Sequence, residues 1–158
     1  MSEIRIILSE SDVIIHDESS PIVDTILYVQ VNGYCFPDNL WTDCTYPVLC
    51  MWAETLLRNK GRTNTQYDLP FMDGPFRIAV KQNGQDLFME GINGRADNRA
   101  EFTFRCTASE LFLELLRAFN KLERMMTYGS FQTLGIKEPV LNSIGHYKES
   151  IKKSLDSV

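Results

Sequence analysis

Three short apolar stretches separated by turn residues constrain the fold of this chain more than any other feature. Apolar side chains occupy alternate positions in Phe76–Val80 and Phe102–Cys106, and the apolar stretch Leu87–Ile92 lies between them. Asn83-Gly84 separates the first two stretches, and both residue types adopt the positive φ that a type I′ hairpin turn requires. A second turn over Asn93–Asn98 precedes the last stretch. The pattern predicts an antiparallel meander of three strands.

The N-terminal third of the chain predicts three more strands. Ile4–Leu8 and Val13–Ile15 are rich in β-branched residues, and the polar stretch Ser9–Asp12 between them has the composition of a turn. These residues predict a first hairpin. A third strand is predicted to end at Asn32-Gly33, with one face formed by Thr25, Leu27, Val29 and Val31. The sequence as a whole therefore predicts about six antiparallel strands.

A first helix is predicted to start at Asp43 or Thr45, since either side chain can cap it, with Pro47 in the first turn. Its apolar stripe runs at helical spacing from Leu49 through Trp52, and Gly61 ends it. Residues 62–70 are polar and are predicted to form a loop.

Two further helices follow the meander. Thr107-Ala108-Ser109-Glu110 is a capping box, in which the threonine hydroxyl and the glutamate carboxylate each accept a hydrogen bond from the other residue's backbone N–H. Apolar residues then recur at helical spacing to Met126, and we expect this helix to lie across the sheet with Phe119 buried, as we expect for Trp52. A last helix is predicted after Pro139. Strands and helices without strict alternation indicate a single α+β domain over residues 1–158.

Composition narrows the class of protein. The 158 residues are 44% hydrophobic and 23% charged, which is typical of a globular domain. No stretch of about 18 apolar residues occurs, and the N-terminus lacks the features of a signal peptide, so we expect a cytoplasmic protein. The four cysteines lack zinc-site spacing and are expected to be reduced, with Cys50 and Cys106 in the core. We therefore expect no metal, no cofactor and a monomer when free.

The formal net charge of −5 is unevenly distributed. Residues 1–60 contain three basic and nine acidic residues, a net charge of −6, whereas the remainder contains 13 basic and 12 acidic residues. An acidic surface repels nucleic acids and anionic membranes and attracts basic partners. We therefore expect no nucleic-acid partner and no membrane partner.

The loop from Phe36 to Asp43 is the most unusual segment, because it combines aromatic and apolar residues with two aspartates. In one interpretation its aromatic residues fold inward as a small core and its aspartates cap turns and the helix. In the other, aromatic and apolar anchors ringed by carboxylates form a binding surface for a basic protein. The candidate partner-binding residues are Phe36, Asp38, Leu40, Trp41, Asp43 and Asp73.

This region also resembles a known class of proteins. Phe36-Pro37-Asp38, Trp41-Thr42-Asp43, the helix around Trp52 and Leu69-Pro70-Phe71-Met72-Asp73-Gly74-Pro75-Phe76 are similar to patterns in small bacterial immunity proteins. Those proteins neutralise toxin domains of interbacterial polymorphic toxin systems, including contact-dependent growth inhibition. The resemblance covers residues 34–80. It implies a cytosolic, non-catalytic protein that occludes the active site of a cognate toxin, and a basic nuclease would suit an acidic inhibitor.

Two alternatives remain open. The first is a small hydrolase that uses carboxylates, from Asp38, Asp73 or Glu90, for general acid and base catalysis. The only histidines, His16 and His146, have no plausible nucleophile beside them in sequence. The second is an oligomeric or scaffold module that associates through a sheet edge or the last helix.

Overall fold

The computed structural model describes residues 3–15, 23–128 and 137–156. Within these ranges the chain forms eight strands, in two antiparallel four-stranded sheets, and three α-helices. The strands are β1 (Ile4–Ile15), β2 (Val23–Val31), β3 (Tyr34–Phe36), β4 (Thr42–Cys44), β5 (Thr65–Pro70), β6 (Phe76–Asn83), β7 (Asp86–Asn93) and β8 (Arg99–Thr107). The helices are α1 (Thr45–Arg58), α2 (Ala108–Tyr128) and α3 (Lys137–Asp156). The predicted α+β class is confirmed, with more strands than the six expected.

The first sheet is organised around β2. One edge of β2 pairs with β1, and the other edge pairs with β3 at Val29–Val31 and with β4 at Asp24–Ile26. Asn32 and Gly33 both have positive φ, as the tight turn between β2 and β3 requires. β2 therefore lies inside the sheet, and β1 and the β3–β4 pair form its two edges.

The predicted hairpin within residues 4–15 is wrong. These residues form one strand, whose register with β2 shifts between Ser9, opposite Ile26, and Ile14, opposite Asp24. Ser9–Asp12 contains neither glycine nor asparagine, the residues that most readily adopt the positive φ of a tight hairpin turn. The extra residues are accommodated as an irregularity of the strand.

The second sheet has the order β5-β6-β7-β8, and its last three strands confirm the predicted meander. The first turn is shifted by one residue from the prediction. Asn83 pairs with Asp86, so Gly84 and Gln85 are the central residues, and of these only Gly84 has positive φ. That pattern is typical of a type II′ turn, which needs glycine at its first central position.

The prediction of a loop over residues 62–70 is also wrong, because Thr65–Pro70 forms β5 at the edge of the second sheet. Leu69 is buried, while Gln66 and Asp68 on the opposite face are exposed to solvent. An edge strand with one solvent-exposed face needs few apolar residues. Its polar sequence therefore predicted a loop.

Helix α1 begins at Thr45 with Pro47 in its first turn, as predicted, but neither proposed capping side chain caps it. The N-cap position is occupied by Cys44, which makes no side-chain capping hydrogen bond. β4 runs directly into the helix, and Asp43 points elsewhere, into the protein interior.

Helix α2 begins with the predicted capping box. The Thr107 N–H donates to Glu110 Oε2 at 2.8 Å, and the Glu110 N–H donates to Thr107 Oγ1 at 3.2 Å. The helix contacts β1 of one sheet and β8 of the other, and α3 packs against both α1 and α2. α3 begins at Lys137, slightly before Pro139.

The buried apolar side chains form one cluster with members from both sheets and all three helices. Trp52 and Phe119 are buried as predicted, Cys106 is buried, and Cys50 packs against the cluster. All four cysteines are free thiols. Among the described residues, no helix is long and apolar enough to cross a membrane.

We predict that Phe119→Ala lowers the free energy of unfolding by about 3–5 kcal/mol, because Phe119 is completely buried and stacks on Tyr147. Urea denaturation measures the change. Leu113→Ala on the same helix is the control, because Leu113 is 48% exposed and its loss is expected to cost within about 0.5 kcal/mol. Equal losses in the two variants would contradict the position of α2.

Candidate functional site

The loop between β3 and β4 leaves and rejoins one edge of the first sheet. β3 and β4 pair with successive parts of β2, and the Leu27 N–H donates to the carbonyl of Trp41 at 2.8 Å. Residues 37–41 therefore connect two short edge strands, and both of these strands are paired with β2.

Phe36, at the base of this loop, belongs to the core. Its side chain has no exposed surface, and its ring makes edge-to-face contacts with Phe71, Phe76 and Phe102, at centroid distances of 5.2–5.9 Å. These contacts join the first sheet to the second. A partner cannot reach Phe36 in this conformation, so its assignment as a binding residue is corrected.

Asp43 is buried as well, with 1% of its surface exposed. Its Oδ1 accepts hydrogen bonds from the N–H groups of Cys44 at 2.7 Å and Met72 at 3.2 Å. Its Oδ2 accepts from Trp41 Nε1 at 3.1 Å and from the Asp73 N–H at 3.2 Å. The carboxylate therefore satisfies the backbone of the loop between β5 and β6, instead of capping α1 or facing a partner.

The environment of Asp43 affects its charge. Burial raises the pKa of this carboxyl group above its ordinary value, and the hydrogen bonds from Trp41 and from the three backbone N–H groups offset part of that shift. A buried carboxylate satisfied by four donors contributes little to a field at the surface. Asp43 is therefore a structural residue and not a steering charge.

The Trp41 side chain is partly buried between Phe76 and Asp43. Its ring packs edge-to-face on Phe76 at 5.1 Å, and its indole N–H is bonded to Asp43. These two contacts fix the position of the Trp41 side chain. Part of its ring remains exposed to solvent.

The exposed side chains of the region come from two loops. Leu40 is 61% exposed and Met72 is 53% exposed, and Asp38 and Asp73 are exposed as well. Leu40 has a φ of 58°, which is unfavourable for a bulky side chain. Met72 was not among the predicted binding residues. It follows Leu69-Pro70-Phe71 in the sequence, and the hydrogen bond from its N–H to Asp43 brings it to this region.

A cleft of about 540 Å³ opens beside the first loop. Asp38, Trp41 and Phe76 line one part of it, and Arg95 and Glu101 line another. The Arg95 guanidinium lies 5.3 Å from the centroid of the Phe76 ring. The cleft is thus polar with charges of both signs.

The carboxylates of the hydrolase alternative are dispersed. Asp38 lines the cleft, whereas Asp73 and Glu90 do not. Glu90 lies in the middle of β7, opposite Ala79 and Thr103 in the neighbouring strands. One of the three candidates therefore faces this cleft. His146 is exposed on α3 beside Tyr147, and His16 lies outside the described residues.

In the part of the chain that the structure describes, no three histidine, cysteine, aspartate or glutamate side chains lie close enough to hold a metal ion. Searches against protein-family models, curated proteins and solved structures found no match. Any function has therefore to be inferred from the residues of this chain.

We predict that Asp43→Asn lowers the free energy of unfolding by at least about 2 kcal/mol. An amide can keep one acceptor oxygen, but its NH₂ group would face two of the present donors, so two hydrogen bonds to a charged acceptor are lost. Chemical denaturation measures the change, and Asp73→Asn, at an exposed position of the same region, should cost within about 0.5 kcal/mol. An unchanged free energy of unfolding in Asp43→Asn would mean that the carboxylate does not hold the two loops together.

The pH dependence of the same variant tests the electrostatics of Asp43. Because the folded protein raises this pKa, it binds the proton more tightly than the unfolded chain does. The contribution of this pKa shift to the free energy of unfolding is therefore fully present below about pH 4, the ordinary pKa of aspartate. It falls as the pH rises through the pKa of Asp43 in the folded protein. Unfolding free energies measured across the acid range should show the advantage of wild type over Asp43→Asn shrinking with rising pH. A growing advantage would mean that the pKa is lowered.

Proposed function

We propose that this chain is a cytoplasmic protein-binding inhibitor, an immunity protein that neutralises a cognate bacterial toxin domain by occluding its active site. The binding surface is formed by residues 37–41 and 71–75, which we call the platform. The observation that carries the proposal is the Asp43 carboxylate, which holds these two loops together while Leu40 and Met72 remain exposed.

Exposed Leu40 is unfavourable for the isolated protein in two ways. A large apolar side chain remains in water, and its backbone adopts a φ of 58°, which costs about 1–2 kcal/mol for a residue with a Cβ. Leucine contributes little to folding where most of its surface is exposed, and asparagine or glycine would fit the backbone better. An apolar anchor that fills a pocket on a partner accounts for it.

The platform is preorganised. Besides the hydrogen bonds to Asp43, the Phe71 N–H donates to the Phe76 carbonyl at 3.0 Å, and the Gly94 N–H donates to the Pro75 carbonyl at 2.8 Å. Gly94 permits this approach, since a Cβ there would lie 2.6 Å from the Pro75 oxygen. A surface that is already ordered loses less conformational entropy on binding, which favours tight association.

The charges on the platform suit a basic partner. Asp38 and Asp73 are exposed beside the two apolar side chains, and the chain as a whole has a net charge of −5. Carboxylates at the edge of an interface raise the rate of association with a basic surface, whereas apolar anchors slow dissociation. Against a nuclease, these carboxylates would occupy the positions of substrate phosphates. The resemblance of residues 34–80 to immunity proteins points to the same class of partner.

We predict that Leu40→Asn weakens binding to the toxin while leaving the fold at least as stable as wild type. Asparagine tolerates positive φ but cannot fill an apolar pocket. We expect the toxin to be a domain encoded by the neighbouring reading frame. Co-expression of wild type should restore the growth that this domain arrests, and Leu40→Asn should restore it poorly, with a faster dissociation rate in surface plasmon resonance.

Leu113→Ala serves as the control, because Leu113 is an exposed leucine on α2. It should protect cells as well as wild type does. The proposal fails if wild type does not bind the neighbouring domain, and the platform is excluded if Leu40→Asn and Met72→Asn both bind with the wild-type affinity.

A further inference from the structure

A second surface lies at the opposite edge of the first sheet. β1 forms that edge, and a groove of about 330 Å³ runs between β1 and α2. Partly exposed Ile7 and the largely buried Leu8 and Ala118 line part of it, and four basic side chains surround it: Arg5, Arg117, Lys121 and Arg124. The chain as a whole is acidic, so this local concentration of positive charge is unusual within it.

The groove follows the outer edge of β1. The Ile6 N–H donates to Glu114 Oε1 at 3.0 Å instead of to β2, so the backbone of Ile6 faces α2. Peptide groups of alternate residues in an edge strand point in the same direction, which places Ile4 and Leu8 on this edge as well. Glu114 is buried and occupies one position along the edge.

The basic side chains differ in their pairing. Arg5 is bonded to Glu3 at 2.7 Å, and Arg117 is paired with Glu114 at 3.3 Å. Lys121 and Arg124 are exposed and form no ion pair within the described residues. Because Arg117, Lys121 and Arg124 are spaced by four and three positions, they lie on one face of α2.

We propose that this groove binds an acidic, extended segment of a protein, whose carboxylates pair with Lys121 and Arg124. Charge complementarity supports this ligand, because Lys121 and Arg124, which form no ion pair within the described residues, lie beside a groove along the edge of β1. The segment lies along β1, with its carboxylates toward α2.

A protein segment fits the groove better than a nucleic acid does. A polyanion experiences the field of the whole molecule, whose net charge is −5, and the Glu114 carboxylate lies in the groove itself. A peptide with a few carboxylates depends mainly on the local pairs, because charges beyond about 8–10 Å are screened at physiological ionic strength.

The groove is independent of the platform. β1 and the β3–β4 edge lie on opposite sides of β2, so ligands at the two surfaces contact different residues. Failure of toxin binding would leave this inference standing, and failure of peptide binding would leave the proposed function standing.

The test uses the full chain and a fluorescein-labelled peptide in which valine and glutamate alternate. Fluorescence anisotropy should show saturable binding that weakens with added salt, and the same peptide with glutamine in place of glutamate should bind much more weakly. Lys121→Ala combined with Arg124→Ala should weaken binding by about tenfold, the loss expected for two exposed ion pairs. Charge reversal of both to glutamate should abolish it.

Lys152→Ala combined with Lys153→Ala is the matched control, since both lysines are exposed on α3 and the net charge changes equally. This variant should bind like wild type, and melting curves of all variants should coincide. The inference is overturned if wild type does not bind the glutamate peptide, if both double alanine variants lose affinity equally, or if a single-stranded oligonucleotide or phosphatidylserine vesicles bind more tightly than the peptide.

Discussion

The buried carboxylate of Asp43 determines how the two halves of this fold meet at the platform. The residue lies in the short strand before α1, yet two of its hydrogen bonds reach the backbone of Met72 and Asp73, at the entrance to the second sheet. Burying a carboxylate is costly unless hydrogen bonds compensate, and this one has four. If the loops separated, a charged group would lose its partners in an apolar setting, so their relative position is strongly favoured.

Aromatic packing next to Asp43 supplies the apolar half of the same junction. Phe36 contacts rings that belong to the second sheet or to the loop before it, and Trp41 touches both Phe76 and the Asp43 carboxylate. The two interpretations of the loop from Phe36 to Asp43 are therefore compatible. Its buried members form a small core, and that core holds the exposed members, Asp38 and Leu40, in place.

Local patterns in the sequence predicted part of the local structure, although the hairpin expected within residues 4–15 was wrong. The capping box and the meander depend on residues close in sequence, and both were identified correctly. The role of Asp43 was not, because its partners Met72 and Asp73 are about thirty positions away and an aspartate before a helix usually caps it. Edge strand β5 was missed for a related reason. Its sequence is largely polar, and its extended structure depends on pairing with β6.

The distribution of charge in three dimensions also differs from its distribution along the chain. The acidic residues that the structure describes within residues 1–60 do not form one surface: Glu3 is paired with Arg5, Asp43 is buried, and Asp38 lies at the platform. Lys121 and Arg124 of α2, which form no ion pair within the described residues, lie at the other edge of the same sheet, beside β1. Lys121 and Arg124 thus lie at one edge of the first sheet, whereas Asp38 and Asp73 lie near the other edge together with the exposed Arg95. Because charges beyond about 8–10 Å are screened, each surface would act on a partner through its own nearby groups, the carboxylates at the platform on a basic partner and the cations at the groove on an acidic segment.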